Sequence, residues 1–119
     1  MLNNKKISVV IPVYNCQKTI YRLVENIIKE LNNKFQFEVI LINDCSSDLS
    51  EQECIKTFKN FPGKIKFYSL GKNVGEHGAV MAGLNNASGE WAVIMDDDFQ
   101  NPISELLKLL QYSIDNTFD

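Results

Sequence analysis

Four short apolar runs recur along the chain: ISVVIPV at 7–13, FEVILIN at 37–43, KIKFYSL at 64–70 and WAVIMD at 91–96. The first, second and fourth are nearly continuous in aliphatic residues, the pattern of strands covered on both faces of a parallel sheet. The third alternates Lys64, Ile65, Lys66 and Phe67, which predicts an outer strand with the other three at the sheet centre. Helical spacing fills the intervals. Over 18–31, Ile20, Leu23, Val24, Ile27, Ile28 and Leu31 form one apolar face. The stretch 50–61 repeats this more weakly through Cys54, Ile55 and Phe58, with Ser50 and Glu53 reading as a capping box. The stretch 74–87 is rich in small residues (Gly75, Gly78, Ala79, Ala82, Gly83) that permit close approach to a sheet. Asn101 as cap and Pro102 at the first helical position open a fourth helix over 103–114.

The predicted order βαβαβαβα, with right-handed crossovers, makes a three-layer α/β sandwich with a mainly parallel sheet. Such sheets bind ligands at the carboxyl ends of their strands. Here those ends carry Val13-Tyr14-Asn15, Asn43-Asp44-Cys45-Ser46-Ser47-Asp48, Gly71-Lys72-Asn73-Val74-Gly75 and Asp96-Asp97-Asp98. That is a set of polar groups suited to a nucleotide pocket.

The 119 residues suit one domain, and 45% hydrophobic with 23% charged residues is ordinary globular composition. A net charge of −3, with no basic cluster beyond the loosely spaced Lys64, Lys66 and Lys72, argues against nucleic acid as a partner. Cys16, Cys45 and Cys54 form no CxxC pair and read as packing residues in a reducing cytoplasm, and lone His77 reads as a helix-surface or pocket-edge residue. The run at 7–13 contains Pro12 and lacks the features of a signal peptide. No apolar stretch approaches the roughly 20 residues of a membrane span. The chain reads as soluble.

GxGxxG is absent, since Asn73 and Glu76 stand where glycines would follow Gly71, and there is no Walker A loop. Asp44 has two open readings: a turn-closing side chain, or an acceptor for a base or ribose. The triplet Asp96-Asp97-Asp98 is either a solvated turn or a cation site. In extended chain Asp96 and Asp98 share a face, and two parallel carboxylates suit a hard divalent cation such as Mg²⁺ or Mn²⁺, with Gln100 able to add a carbonyl oxygen.

VVIPVYN, INDCSSD, GKNVGEHGAVMAGLNNASGE and MDDDFQNP, in this order, resemble the inverting family 2 glycosyltransferases of the nucleotide-diphospho-sugar transferase (GT-A, Rossmann-like) fold, and within them the polyprenyl-phosphate sugar transferases. The resemblance implies that Pro12, Tyr14 and Asp44 hold the nucleotide, that Asp97 lies beside the donor, and that Asp96, Asp98 and Gln100 hold the metal, with Asp96 and Asp98 catalytic through it. It implies a nucleoside-diphosphate sugar as donor and a polyprenyl phosphate at the inner face of the membrane as acceptor, in cell-envelope glycan synthesis. Cys16 departs from the family's usual Glu, and Asn101-Pro102 replaces a double proline. The family's catalytic domain is longer, so residues 1–119 read as its donor-binding half. A hydroxyl acceptor and a non-catalytic nucleotide- or metal-binding domain remain as alternatives. A pyrophosphorylase lacks support because PVYNCQKT is not a Gly-rich loop. A phospho-receiver would need a later strand followed by Lys. Oligomeric state has no signature in the chain.

Overall fold

The structure, a computed structural model, describes residues 6–95. Its elements are β1 (Lys6–Val13), α1 (Ile20–Leu31), β2 (Gln36–Asn43), α2 (Ser50–Asn60), β3 (Ile65–Ser69), α3 (Gly75–Asn85) and β4 (Trp91–Ile94). All strand pairs are parallel, in the order β3-β2-β1-β4. The β1–β2 ladder runs unbroken from Lys6 opposite Gln36 to Val13 opposite Asn43.

After its first residue each of these two strands is buried at every position. The reason is coverage from both sides. On one face Ile7, Val9, Ile11, Val13, Val39 and Leu41 pack with Ile20, Leu23, Val24, Ile27 and Leu31 of α1 and with Cys54 of α2. On the other, Val10, Ile40 and Ile42 pack with Ala79 of α3. Of the small residues of α3, Ala79, Ala82 and Gly83 face the sheet as expected, and a Cβ on Gly83 would collide with Val10 Cγ1, whereas a Cβ on Gly75 would meet nothing within 4 Å and one on Gly78 only Val74. Three layers result.

β3 is the outer strand, as its lysines predicted. β4 differs from expectation: among the described residues it stands at the opposite edge, beyond β1, and Ile94 is 50% exposed. A continuous apolar run reports that both faces of a strand tolerate cover; it carries no information on strand order. The capping box at Ser50 does not form. Leu49 occupies the cap, Asp48 Oδ1 accepts the Ser50 N–H at 2.9 Å, and the Ser50 hydroxyl accepts the Cys16 N–H at 2.8 Å. A carboxylate two residues back makes the stronger, charge-assisted bond and frees the hydroxyl for a long-range contact. The helix expected over 103–114, with Asn101 and Pro102, lies outside the described residues. Among the described residues no helix is long and apolar enough to cross a membrane.

Candidate functional site

The carboxyl ends of β1 and β2 are tied together by short polar side chains. Asn15 has φ 51° and Cys45 φ 55°, a left-handed backbone that Asn tolerates better than most residues. The Asn15 N–H donates to Ser46 Oγ at 3.1 Å, while Asn15 Oδ1 accepts the Ser47 N–H at 2.9 Å. Asn43 Oδ1 accepts the Ser46 hydroxyl at 2.6 Å, and Asn43 Nδ2 donates to Ser69 Oγ at 3.1 Å. Further out, Gln17 N–H donates to Asp48 Oδ2 at 3.3 Å, and Gln17 Oε1 accepts the Leu49 N–H at 2.8 Å. Burial pushes the Asp48 carboxyl up, but the hydrogen bonds from Ser50 and Gln17 outweigh it and hold the group below the usual carboxylate range. NDCSSD is therefore a braced loop.

Asp44 follows β2 and is 3% exposed. Its Oδ1 accepts the Val74 N–H at 2.7 Å and its Oδ2 the Gly75 N–H at 3.0 Å, so it closes the start of α3. Asn73 Oδ1 shares the Gly75 amide at 3.0 Å, and Gly75 takes φ 83°, a conformation that suits glycine. The turn-closing reading thus has its partners. Each carboxylate oxygen keeps a second lone pair, so the base-or-ribose reading stays chemically available.

A cleft of about 390 Å³ opens between these loops and α3, walled by Pro12, Tyr14, Asp44, Asn73, Glu76 and Ala79 among others. Pro12, Tyr14 and Asp44, singled out in the sequence, are brought together there. Pro12 suits its place: it lies on the side of β1 that Val10 turns to β4, and the bond from Met95 N–H to the Val10 carbonyl is the last described one on that side. Asn73 belongs to the polar strand end read from the sequence and Ala79 reads there only as a small residue facing the sheet, while Glu76 was not singled out. Its signal was GKNVGEHGA, where a polar loop runs straight into a helix. A second cleft, of about 470 Å³, lies on the other side of Tyr14 and runs along Asn15–Thr19 to Asp48.

Asp96, Asp97, Asp98 and Gln100 lie outside the described residues. Among the described residues no group of three or more His, Cys, Asp or Glu side chains is placed to hold a metal ion. His77 is exposed on α3. Cys54 is buried and Cys16 packs against the core, as expected. Cys45 is exposed and does not pack, because its left-handed backbone turns the chain at the loop surface.

The family described as Glycosyl transferase family 2 matches residues 8–119. The undecaprenyl-phosphate 4-deoxy-4-formamido-L-arabinose transferase of Photorhabdus laumondii subsp. laumondii is 36% identical over 108 residues, 90% of this chain and 33% of that protein. The crystal structure of S. aureus TarS 1-349 superposes with a TM-score of 0.74 at 27% identity, covering 92% of this chain and 32% of that one. Mannosyltransferase PcManGT from Pyrobaculum calidifontis, in complex with GDP-Man and Mn2+, shares the fold with a TM-score of 0.74 at 23% identity, over 81% of this chain and 28% of that one. The chain spans about a third of the length of the curated relatives it matches. The parallel sheet is the GT-A sheet expected from the sequence, and with the family matching from β1 to the last residue, this chain belongs to glycosyl transferase family 2.

Proposed function

We propose that this chain is the donor-binding part of an inverting glycosyltransferase that moves a sugar from a nucleoside diphosphate to a polyprenyl phosphate at the inner face of the membrane. The observation that carries the reading is the cleft at the ends of β1 and β2. Pro12, Tyr14 and Asp44, three residues that the family resemblance assigns to the nucleotide, wall it together. The acceptor class is supported by the relatives, whose name specifies undecaprenyl phosphate.

In this reading an acceptor phosphate oxygen attacks the anomeric carbon from the face opposite the diphosphate. The new C–O bond forms as the bond to the diphosphate breaks, the electron pair leaves with the nucleotide, and the configuration inverts. A phosphate acceptor is already anionic and needs no strong base. Asp44 and Tyr14 orient the nucleoside, and Asp97 lies beside the donor. Asp96 and Asp98, with Gln100, are the proposed holders of Mg²⁺ or Mn²⁺, which would neutralise charge on the leaving diphosphate.

Thermal shift and calorimetry with UDP, GDP, CDP and ADP, each with and without Mn²⁺, test this. One nucleoside diphosphate is expected to bind in preference to the others, and Tyr14→Ala to weaken it. No binding by any of the four overturns the reading.

A further inference from the structure

On the face covered by α3, the amino-terminal ends of three strands carry a buried polar cluster where aliphatic side chains would be expected. Ser8 of β1 and Glu38 of β2 are register partners, 0% and 4% exposed. The Ser8 hydroxyl donates to Glu38 Oε2 at 2.6 Å. The same Oε2 accepts the Ser88 N–H at 2.7 Å, and Ser8 Oγ accepts the Gly89 N–H at 2.8 Å. From β3, Lys66 Nζ lies 2.9 Å from Glu38 Oε1 and donates to the Asn86 carbonyl at 3.0 Å. Lys6 Nζ lies 3.5 Å from the same oxygen and donates to Ser88 Oγ at 2.7 Å. Oε1 thus faces two ammonium groups, the nearer, Lys66, at charge-assisted hydrogen-bond distance. Gly89 has no room for a side chain, since a Cβ would lie 2.5 Å from Ser8 Oγ and 2.8 Å from Ser8 N. What the cluster grips is the turn 86–89 between α3 and β4.

β4 has need of such a grip. Trp91 through Met95 is apolar at every position, so hydrophobic pattern alone does not separate the observed register from one slipped by a residue. Ile94 is already half exposed, and a slip would sacrifice little burial there. In the observed register Ile7 pairs with Trp91 and Val10 with Ile94. The Glu90 N–H donates to the Lys6 carbonyl at 2.9 Å and the Met95 N–H to the Val10 carbonyl at 3.0 Å. Stability alone does not account for the cluster, because apolar residues of similar volume commonly replace a buried ion pair at no cost. Directed hydrogen bonds do something packing cannot: they specify which residue of a turn sits where.

We propose that Ser8 and Glu38 are positioning residues that, by gripping the 86–89 turn, set the register in which β4 joins β1. On the sequence reading, in which Asp96 and Asp98 share a face in extended chain, a slip of one would exchange that face with the face of Asp97. That consequence for donor binding rests on the function proposed above; the register claim does not.

Amide hydrogen exchange on Ser8→Ala, Gly89→Ala and Glu38→Gln tests the register claim. Exchange at the Glu90 and Met95 amides is expected to accelerate roughly tenfold more than at the Asp44 amide, which is bonded to Val13 in the β1–β2 ladder. Ser8→Ala removes one hydroxyl and decides the question if Glu38→Gln fails to fold. Acceleration only in step with Asp44 would mean that the cluster contributes stability alone, and would overturn the proposal. As a second readout, the gain in nucleoside diphosphate affinity caused by Mn²⁺ should shrink in the variants while metal-free affinity holds. If the unaltered chain shows no such gain, the metal part of the donor reading fails and the exchange data still decide the register.

Discussion

The Asp44 carboxylate takes both the Val74 N–H, at 2.7 Å, and the Gly75 N–H, at 3.0 Å, and so ties the end of β2 to the first turn of α3. The negative charge sits at the positive end of the helix, where it is favoured. The same side chain forms part of the cleft wall. Support of the fold and contact with a ligand therefore fall on one residue, and substitutions there have to be read on two axes.

Asp44→Ala leaves the Val74 amide without its acceptor and the Gly75 amide with Asn73 Oδ1 alone, and should lower stability by about 1–3 kcal/mol in urea denaturation. If Asp44 also contacts base or ribose, calorimetry should show nucleoside diphosphate binding weaker by about 1.5–3 kcal/mol, with or without metal. Asp44→Asn keeps one acceptor and should fall between the two on both axes. Normal binding by a destabilised Ala variant would leave Asp44 as a brace only.

Stability should fall in acid through Glu38. Burial raises this carboxyl, but hydrogen bonds from Ser8 and Ser88 and the Lys66 ammonium more than offset it, leaving the pKa at about 2 against an ordinary 4.5. The folded value lies below the unfolded one. The contribution is thus complete above the unfolded pKa and is lost as pH drops from about 4.5 to about 2. Its size is on the order of 3 kcal/mol. Glu38→Gln should be less stable than the unaltered chain at pH 7, with the gap in urea midpoint narrowing from about pH 5 and closing only near pH 2. A gap independent of pH would show that the charge of Glu38 is not what stabilises it.

Gly83→Ala sets two opposite effects against each other. Alanine in place of a helical glycine gains about 1 kcal/mol of helix propensity. Its Cβ, however, would collide with Val10 Cγ1 and come within 3.4 Å of Ile42 Cγ1, and overpacking a core costs about 1–3 kcal/mol. The clash should win, lowering Tm by several degrees. A rise in Tm would mean that α3 can move away from the sheet without penalty.

Metal and nucleotide should act together. If Asp96 and Asp98 hold a divalent cation that also meets the diphosphate, both ligands added at once should stabilise far more than the sum of each alone. With the nucleotide near 100 times its dissociation constant the gain is about 2.7 kcal/mol. Asp98→Asn should abolish most of this synergy in thermal-shift measurements while leaving the metal-free protein as stable as before or more so, since it deletes a repelling charge. Merely additive effects would return the aspartates to the role of a solvated turn.

The sequence by itself determined the α/β order from β1 to β4, the spans of α1 and of β1 to β3 to within a residue or two, the outer place of β3 and the edge on which polar loops gather. These are written in periodicity between near neighbours, which local geometry enforces whatever the rest of the chain does. Its motifs also marked Pro12, Tyr14 and Asp44. Only the tertiary structure decided which partners polar side chains take. Ser50 looked like a cap and instead serves Cys16; Lys66 marked an outer strand, and only the structure shows that it reaches Glu38. Glu38 itself stood unnoticed inside FEVILIN, since the bonds that justify a buried carboxylate come from Ser8, Lys66 and Ser88, each 28 or more residues away in the chain. A hydrogen-bonding group satisfies itself with whatever packing brings within 3 Å or so. That proximity is a product of the assembled sheet, so no local window of sequence contains it.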